Sequence, residues 1–164
     1  MNRRSTYRLL AIFAHPDDET FRPGGTLALL ARHGVAVRLL TATRGGAGSC
    51  GNPSLCSPED LPAVRERELR CACAALGIQP PHLLDFPDGH LHEVEPEDLV
   101  YPILSAMRQF KPQVLLTFGQ DGLSGHPDHV AIGKAVIEAF HRSEKVNVVY
   151  TMVVPYSLAQ RLDM

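Results

Sequence analysis

The chain has 164 residues, enough for one domain with a substantial core and hardly for two. Hydrophobic residues make up 45% and charged ones 21%, and a net charge of −2 offers no basic surface for nucleic acid or an anionic membrane. No apolar run reaches the ~18 residues of a transmembrane segment. The basic start, Met1 to Arg8, leads into a strand rather than a signal-peptide cleavage site, so the protein reads as cytoplasmic.

Leu9 to Ala14 is apolar without alternation, the pattern of a strand buried on both faces. The strand is expected from Arg8 to Ala14, and His15-Pro16-Asp17-Asp18-Glu19 stands at its end. Three carboxylates this close repel one another unless a cation sits among them. A divalent metal on His15 and one Asp is the simplest remedy. The alternative is a loop in which Asp17 or Asp18 caps the next helix and His15 is only polar. Gly24-Gly25 opens a helix through Arg32, which Gly34 closes. Val35 to Thr41 is the second strand.

Arg44 to Leu61 is rich in Gly, Ser, Cys and Pro, and loops of that length are usually functional or mobile. Its Arg44-Gly45-Gly46-Ala47-Gly48-Ser49 resembles a phosphate loop but lacks both standard glycine signatures. Cys50 and Cys56 also lie here, as a disulfide, a redox pair or, in better accord with a reducing cytosol, free thiols. Pro62 suits the first turn of a helix with the stripe Leu69, Ala72, Cys73 and Leu76. Cys71 and Cys73 read as small core residues on it.

His82 to Phe86 is a short third strand before the turn Pro87-Asp88-Gly89. Asp88 either touches a sugar hydroxyl or stabilises that turn. His90, His92 and Glu93 read as an exposed group rather than a second metal site. A helix from about Asp98 to Phe110 carries Leu99, Ile103, Met107 and Phe110 on one face, with Pro102 either kinking it or marking its first turn. Val114 to Phe118 is the fourth strand, followed by His126-Pro127-Asp128-His129. The helix from Asp128 to about Arg142 is expected to bury Val130, Ala131, Ala135, Ile137 and Phe140. Val146 to Val154 is the fifth strand.

Alternating strands and helices predict an α/β fold, Rossmann-like and doubly wound, with a mainly parallel five-stranded sheet and helices on both faces. The strand order 3-2-1-4-5 puts strands one and four together at the topological switch point, where ligands bind beyond the carboxyl ends of the strands. Both His-Pro-Asp loops leave from that pair. Two imidazoles and one carboxylate leave an open position on a tetrahedral zinc, the composition of a hydrolytic site. Nitrogen donors favour zinc, or another divalent transition metal, over magnesium. Spacing alone does not divide ligand, base and acid roles among these side chains.

From the first strand to the fifth, the chain resembles the LmbE-like, or PIG-L-type, N-acetylglucosaminyl deacetylases. The carriers are Ala14-His15-Pro16-Asp17-Asp18-Glu19, Gly24-Gly25-Thr26, Arg65 with Glu68-Leu69, and Gly125-His126-Pro127-Asp128-His129. The resemblance implies a zinc-dependent amidase that removes acetyl groups from N-acetylated amino sugars. It implies His15, Asp18 and His129 as zinc ligands, Asp17 as general base and His126 as the catalytic histidine. His126, as imidazolium, would stabilise the oxyanion or protonate the leaving amine. Asp128 is implied as the carboxylate that tunes His126, and Arg65 as a residue that reaches the substrate.

Departures from the family pattern are Ser124, where some members have a tyrosine, and Gly45-Gly46, where members often have Gly-Glu. The chain ends at Met164, where relatives usually continue, which implies a fragment or a single domain without the C-terminal segment. A non-catalytic metal-bearing domain that binds sugars or regulates, and a hydrolase of another amide, are the alternative functions. Homo-oligomerisation is left open.

Overall fold

A computed structural model describes residues 7–155. Its strands are β1 (Arg8–Phe13), β2 (Ala36–Thr43), β3 (His82–Phe86), β4 (Val114–Phe118) and β5 (Val148–Met152). They form one sheet in the order β3-β2-β1-β4-β5, and every pairing is parallel. The fold is therefore the doubly wound α/β architecture expected. Leu10 to Ala14 are fully buried, as a central strand covered on both faces requires.

The helices are α1 (Asp18–Phe21), α2 (Gly24–Arg32), α3 (Leu61–Leu76), α4 (Pro96–Phe110) and α5 (Pro127–His141). A 3₁₀ turn, Leu91–Glu93, lies between β3 and α4. Helix α4 covers the sheet face bearing Leu10, Arg38 and Leu40, with the Arg38 guanidinium 4.6 Å from the Phe110 ring centroid. Right-handed crossovers put α2 and α3 on the other face. No helix among the described residues is long and apolar enough to cross a membrane.

Several element details differ from the sequence reading. β2 runs on to Thr43, which carries its end up to the site. α4 starts at Pro96 and continues through Pro102, so Pro102 does not mark its first turn. Its expected face, Leu99, Ile103, Met107 and Phe110, is buried. On α3, Cys73 is buried but Cys71 is exposed, off the Leu69–Cys73 stripe.

Helix α5 is rotated from the expected face. It buries Asp128, Ile132, Gly133, Ala135, Val136 and Ala139, while Ala131, Ile137 and Phe140 are only partly covered. Two contacts account for this. The Asp128 carboxylate turns inward to the site, and Gly133 lies against the end of β4, where an added Cβ would sit 3.1 Å from the Phe118 carbonyl oxygen. Apolar periodicity registers neither a buried carboxylate nor a close backbone approach.

Candidate active site

The His15 and His126 loops leave adjacent strands, β1 and β4, and meet in an open pocket of about 430 Å³. His15, Asp17, Asp18, Arg65, His126 and His129 all line it. Asp18 is the first residue of α1, and its Oδ2 accepts the His15 main-chain N–H at 2.8 Å. That bond folds the carboxylate back beside the imidazole. His129 Nε2 lies 3.2 Å from His15 Nδ1 and 3.3 Å from Asp18 Oδ1, and His15 Nδ1 lies 3.6 Å from Asp18 Oδ2.

The outer hydrogen bonds set both tautomers. His129 Nδ1–H donates to the Gly122 carbonyl at 3.0 Å. Gly122 (φ 65°) must be glycine, because a Cβ there would sit 2.9 Å from the Val130 side chain. His15 Nε2–H faces Asp88 Oδ1 and Asp128 Oδ2, each at 3.1 Å. The inward nitrogens, His129 Nε2 and His15 Nδ1, are thus left as lone pairs beside a carboxylate. Three electron-pair donors converging on one point repel unless a cation lies between them. The donor set fits a transition metal with open positions for water or substrate. A second grouping of metal-ligand spacing, His15, His126 and Asp128, shares His15 with the first.

Asp17 sits at the N-cap position of α1 but makes no side-chain cap, contrary to the capping alternative. Its backbone has φ 101°, a conformation worth about 1–3 kcal/mol of strain in a non-glycine residue. Asp17 Oδ2 instead accepts from Arg65 Nη2 at 2.6 Å, and the same guanidinium reaches the Pro16 carbonyl. Burial raises the Asp17 pKa, against the pull of Arg65. Arg65 therefore lines the pocket with its guanidinium committed to the neighbouring carboxylate.

The charge of Asp128 favours the protonated form of His126, while its hydrogen bonds go elsewhere. Its carboxylate is fully buried and accepts from His15 Nε2, from Gly89 N–H at 2.8 Å and from Leu91 N–H at 3.0 Å. None of its carboxylate hydrogen bonds goes to His126. The Asp128 main-chain N–H donates to His126 Nδ1 at 3.2 Å, the N-cap bond of α5. Nδ1 is then an acceptor, and neutral His126 carries its proton on Nε2. Burial and the neighbouring His129 and His15 rings lower its pKa. The ring stacks on His129, with centroids 4.7 Å apart.

Asp88 lines the pocket, but its carboxylate is engaged by the protein. Besides His15 it accepts the Ala47 N–H at 2.8 Å and the Thr43 hydroxyl at 3.4 Å. Burial pushes its carboxyl up, yet the His15 and Ala47 hydrogen bonds prevail and hold it at about 2. It thus ties the start of the 44–60 loop to the site. His90, His92 and Glu93 are exposed and belong to neither metal-type grouping. Sequence reasoning assigned nothing to Glu19, which is buried under Asp17. Its place in the acidic run was the only available signal.

Residues 10–140 match the family model described as PIG-L: GlcNAc-PI de-N-acetylase. The chain is 35% identical over 159 residues to a 1D-myo-inositol 2-acetamido-2-deoxy-alpha-D-glucopyranoside deacetylase of Kineococcus radiotolerans, covering 80% of this chain and 44% of that protein. It is 38% identical over 140 residues to a Bacillus cereus protein named "Probable N-acetyl-alpha-D-glucosaminyl L-malate deacetylase 2", covering 84% and 62%. The chain thus spans about half the length of these curated relatives. Among solved structures, a conserved protein of Thermus thermophilus superposes with a TM-score of 0.72 at 28% identity, covering 94% of this chain and 73% of that one. By the extent of the family match and the identity to these relatives, the chain belongs to the PIG-L family of GlcNAc-PI de-N-acetylases.

Proposed function

We propose that the protein is a zinc-dependent hydrolase that removes the acetyl group from an N-acetylglucosamine-type conjugate, and that it acts in the cytoplasm. The convergence of His15 Nδ1, Asp18 and His129 Nε2 beside Asp17 and His126 in one open pocket carries this reading. The names of the relatives supply the substrate class. His15, Asp18 and His129 would hold the zinc, which supplies Lewis-acid activation of water and of the amide carbonyl.

Asp17 takes the proton of the attacking water on Oδ1, because Oδ2 is held by Arg65. The Nε2–H of His126 donates to the carbonyl oxygen as negative charge develops there. With Nδ1 already accepting the Asp128 N–H, His126 serves as a neutral donor rather than an imidazolium. Asp17 then passes its proton to the amine nitrogen as the C–N bond breaks, leaving acetate and the free amino sugar. Acetate release from N-acetylglucosaminyl-inositol and N-acetylglucosaminyl-malate tests the reading. Turnover that chelation abolishes and zinc restores is expected; no release from any N-acetyl sugar by metal-loaded protein overturns it.

Two further results are expected. Elemental analysis should find one divalent metal per chain, lost in His15→Ala and in His129→Ala, since each removes a nitrogen donor. Metal retained in both variants would exclude the ligand set. Arg65→Ala should raise KM through loss of a pocket cation and also lower kcat, because the guanidinium orients Asp17. A rise in KM with kcat unchanged would show that the Asp17 contact has no part in turnover.

A further inference from the structure

Glu19 is 1% exposed and does not line the pocket. It belongs to neither metal-type grouping. Its Oε2 accepts the Asp17 main-chain N–H at 3.0 Å. On the other side of Asp17, the carbonyl accepts from the main-chain N–H groups of Thr20 and Phe21, both at 2.9 Å, and from the Thr20 hydroxyl at 2.8 Å. Both peptide groups flanking Asp17 are therefore tied, and between them the residue keeps φ 101°. In a helix that begins at Asp18, the carbonyl contacts belong to the first turn and would form with most sequences. The N–H contact depends on one side chain.

Burying a carboxylate is costly unless its hydrogen bonds are needed, and an apolar side chain of the same size would fill this position without that cost. The acceptor is what Glu19 contributes. We propose that Glu19 is a positioning residue, its buried carboxylate holding Asp17 by the main-chain N–H in the left-handed conformation that directs the Asp17 carboxylate into the pocket. This rests on the deacetylase reading given above. Small displacements of a reacting group cost up to about 10²-fold in rate.

The test compares Glu19→Gln, which keeps an oxygen acceptor, with Glu19→Met and Glu19→Ala, which do not. Acetate release, metal content by elemental analysis and crystal structures are measured for each. Glu19→Gln is expected to keep kcat close to native and Asp17 at positive φ. Glu19→Met and Glu19→Ala are expected to lose about 10–100-fold in kcat, with KM and one metal per chain retained and Asp17 relaxed to negative φ. Glu19→Met turning over like Glu19→Gln, or crystallising with Asp17 unmoved, overturns the proposal. So does a failure of both Met and Ala variants to fold while Gln folds, which would make the acceptor purely structural. If the native chain releases no acetate, the deacetylase reading fails alone, and the Asp17 backbone in the variant structures still decides the role of Glu19.

Discussion

Asp17→Asn is expected to lower kcat by about 10²–10⁴-fold while the protein keeps its metal and its KM. The substitution is close to isosteric. Asparagine tolerates positive φ as well as aspartate does, so the strained backbone at φ 101° is kept. Its amide oxygen can still accept from Arg65. What it cannot do is take a proton from water, and that is the function assigned to the free oxygen of Asp17. Asp17 also stands outside the three groups that converge on the metal position, so metal content should stay at one per chain. Steady-state kinetics on an N-acetylglucosamine conjugate, with elemental analysis of the same sample, decide it. A variant that turns over at near-native rate, or that has lost its metal, would remove Asp17 from the base role.

The sheet order and the meeting of His15 with His129 were legible because both follow from coarse signals. Unbroken apolar runs mark buried parallel strands, and short α/β connections allow few topologies. Side-chain direction at the strand ends was not legible. Asp128 reaches His126 through its charge, but it sits at the second position of α5, and the rotation of that helix sends its carboxylate hydrogen bonds to His15, Gly89 and Leu91. For Asp88 the sequence allows either sugar contact or turn stabilisation, since nothing in Pro87-Asp88-Gly89 tells that β2 extends to Thr43 and that His15 comes within reach. Arg65 lies 48 residues from Asp17, and only the close approach of α3 to the end of β1 pairs them. Glu19 was hidden for the opposite reason. Its place in a run of acidic residues gives it no role of its own, and a two-residue hydrogen bond to a left-handed backbone has no sequence signature.

The carboxylates around His15 divide the work of holding it. Asp18 shares its pocket side, whereas Asp88 and Asp128 take its outer N–H from two different parts of the chain, the β3 turn and the start of α5. An imidazole so held has its lone pair fixed toward the metal position before any metal arrives. Outer partners of this kind typically account for about 10–100-fold in metal affinity. Asp88 also holds the Ala47 N–H, so the loop of residues 44–60 and the ring of His15 are coupled through one carboxylate.

Asp128→Ala is expected to destabilise the metal-free protein by about 2–6 kcal/mol, the cost of orphaning two main-chain N–H donors. Asp128 is fully buried and takes three hydrogen bonds, from His15 Nε2 and from the Gly89 and Leu91 main-chain N–H groups. Alanine leaves those two N–H groups without their acceptor, at about 1–3 kcal/mol each when buried. His15 retains Asp88, so the metal site should be weakened rather than abolished. Asp128→Asn should fall between native and alanine, since one amide oxygen can still accept while the NH₂ group meets donors. His126 Nδ1 still accepts the main-chain N–H of residue 128 in both variants, so the α5 N-terminus should be unaffected. Chemical denaturation of the apo proteins measures the stability loss, and metal titration of the folded variants measures affinity separately. An apo Asp128→Ala protein as stable as the native chain would show that the Gly89 and Leu91 N–H groups find water instead, and that Asp128 acts on the metal site alone.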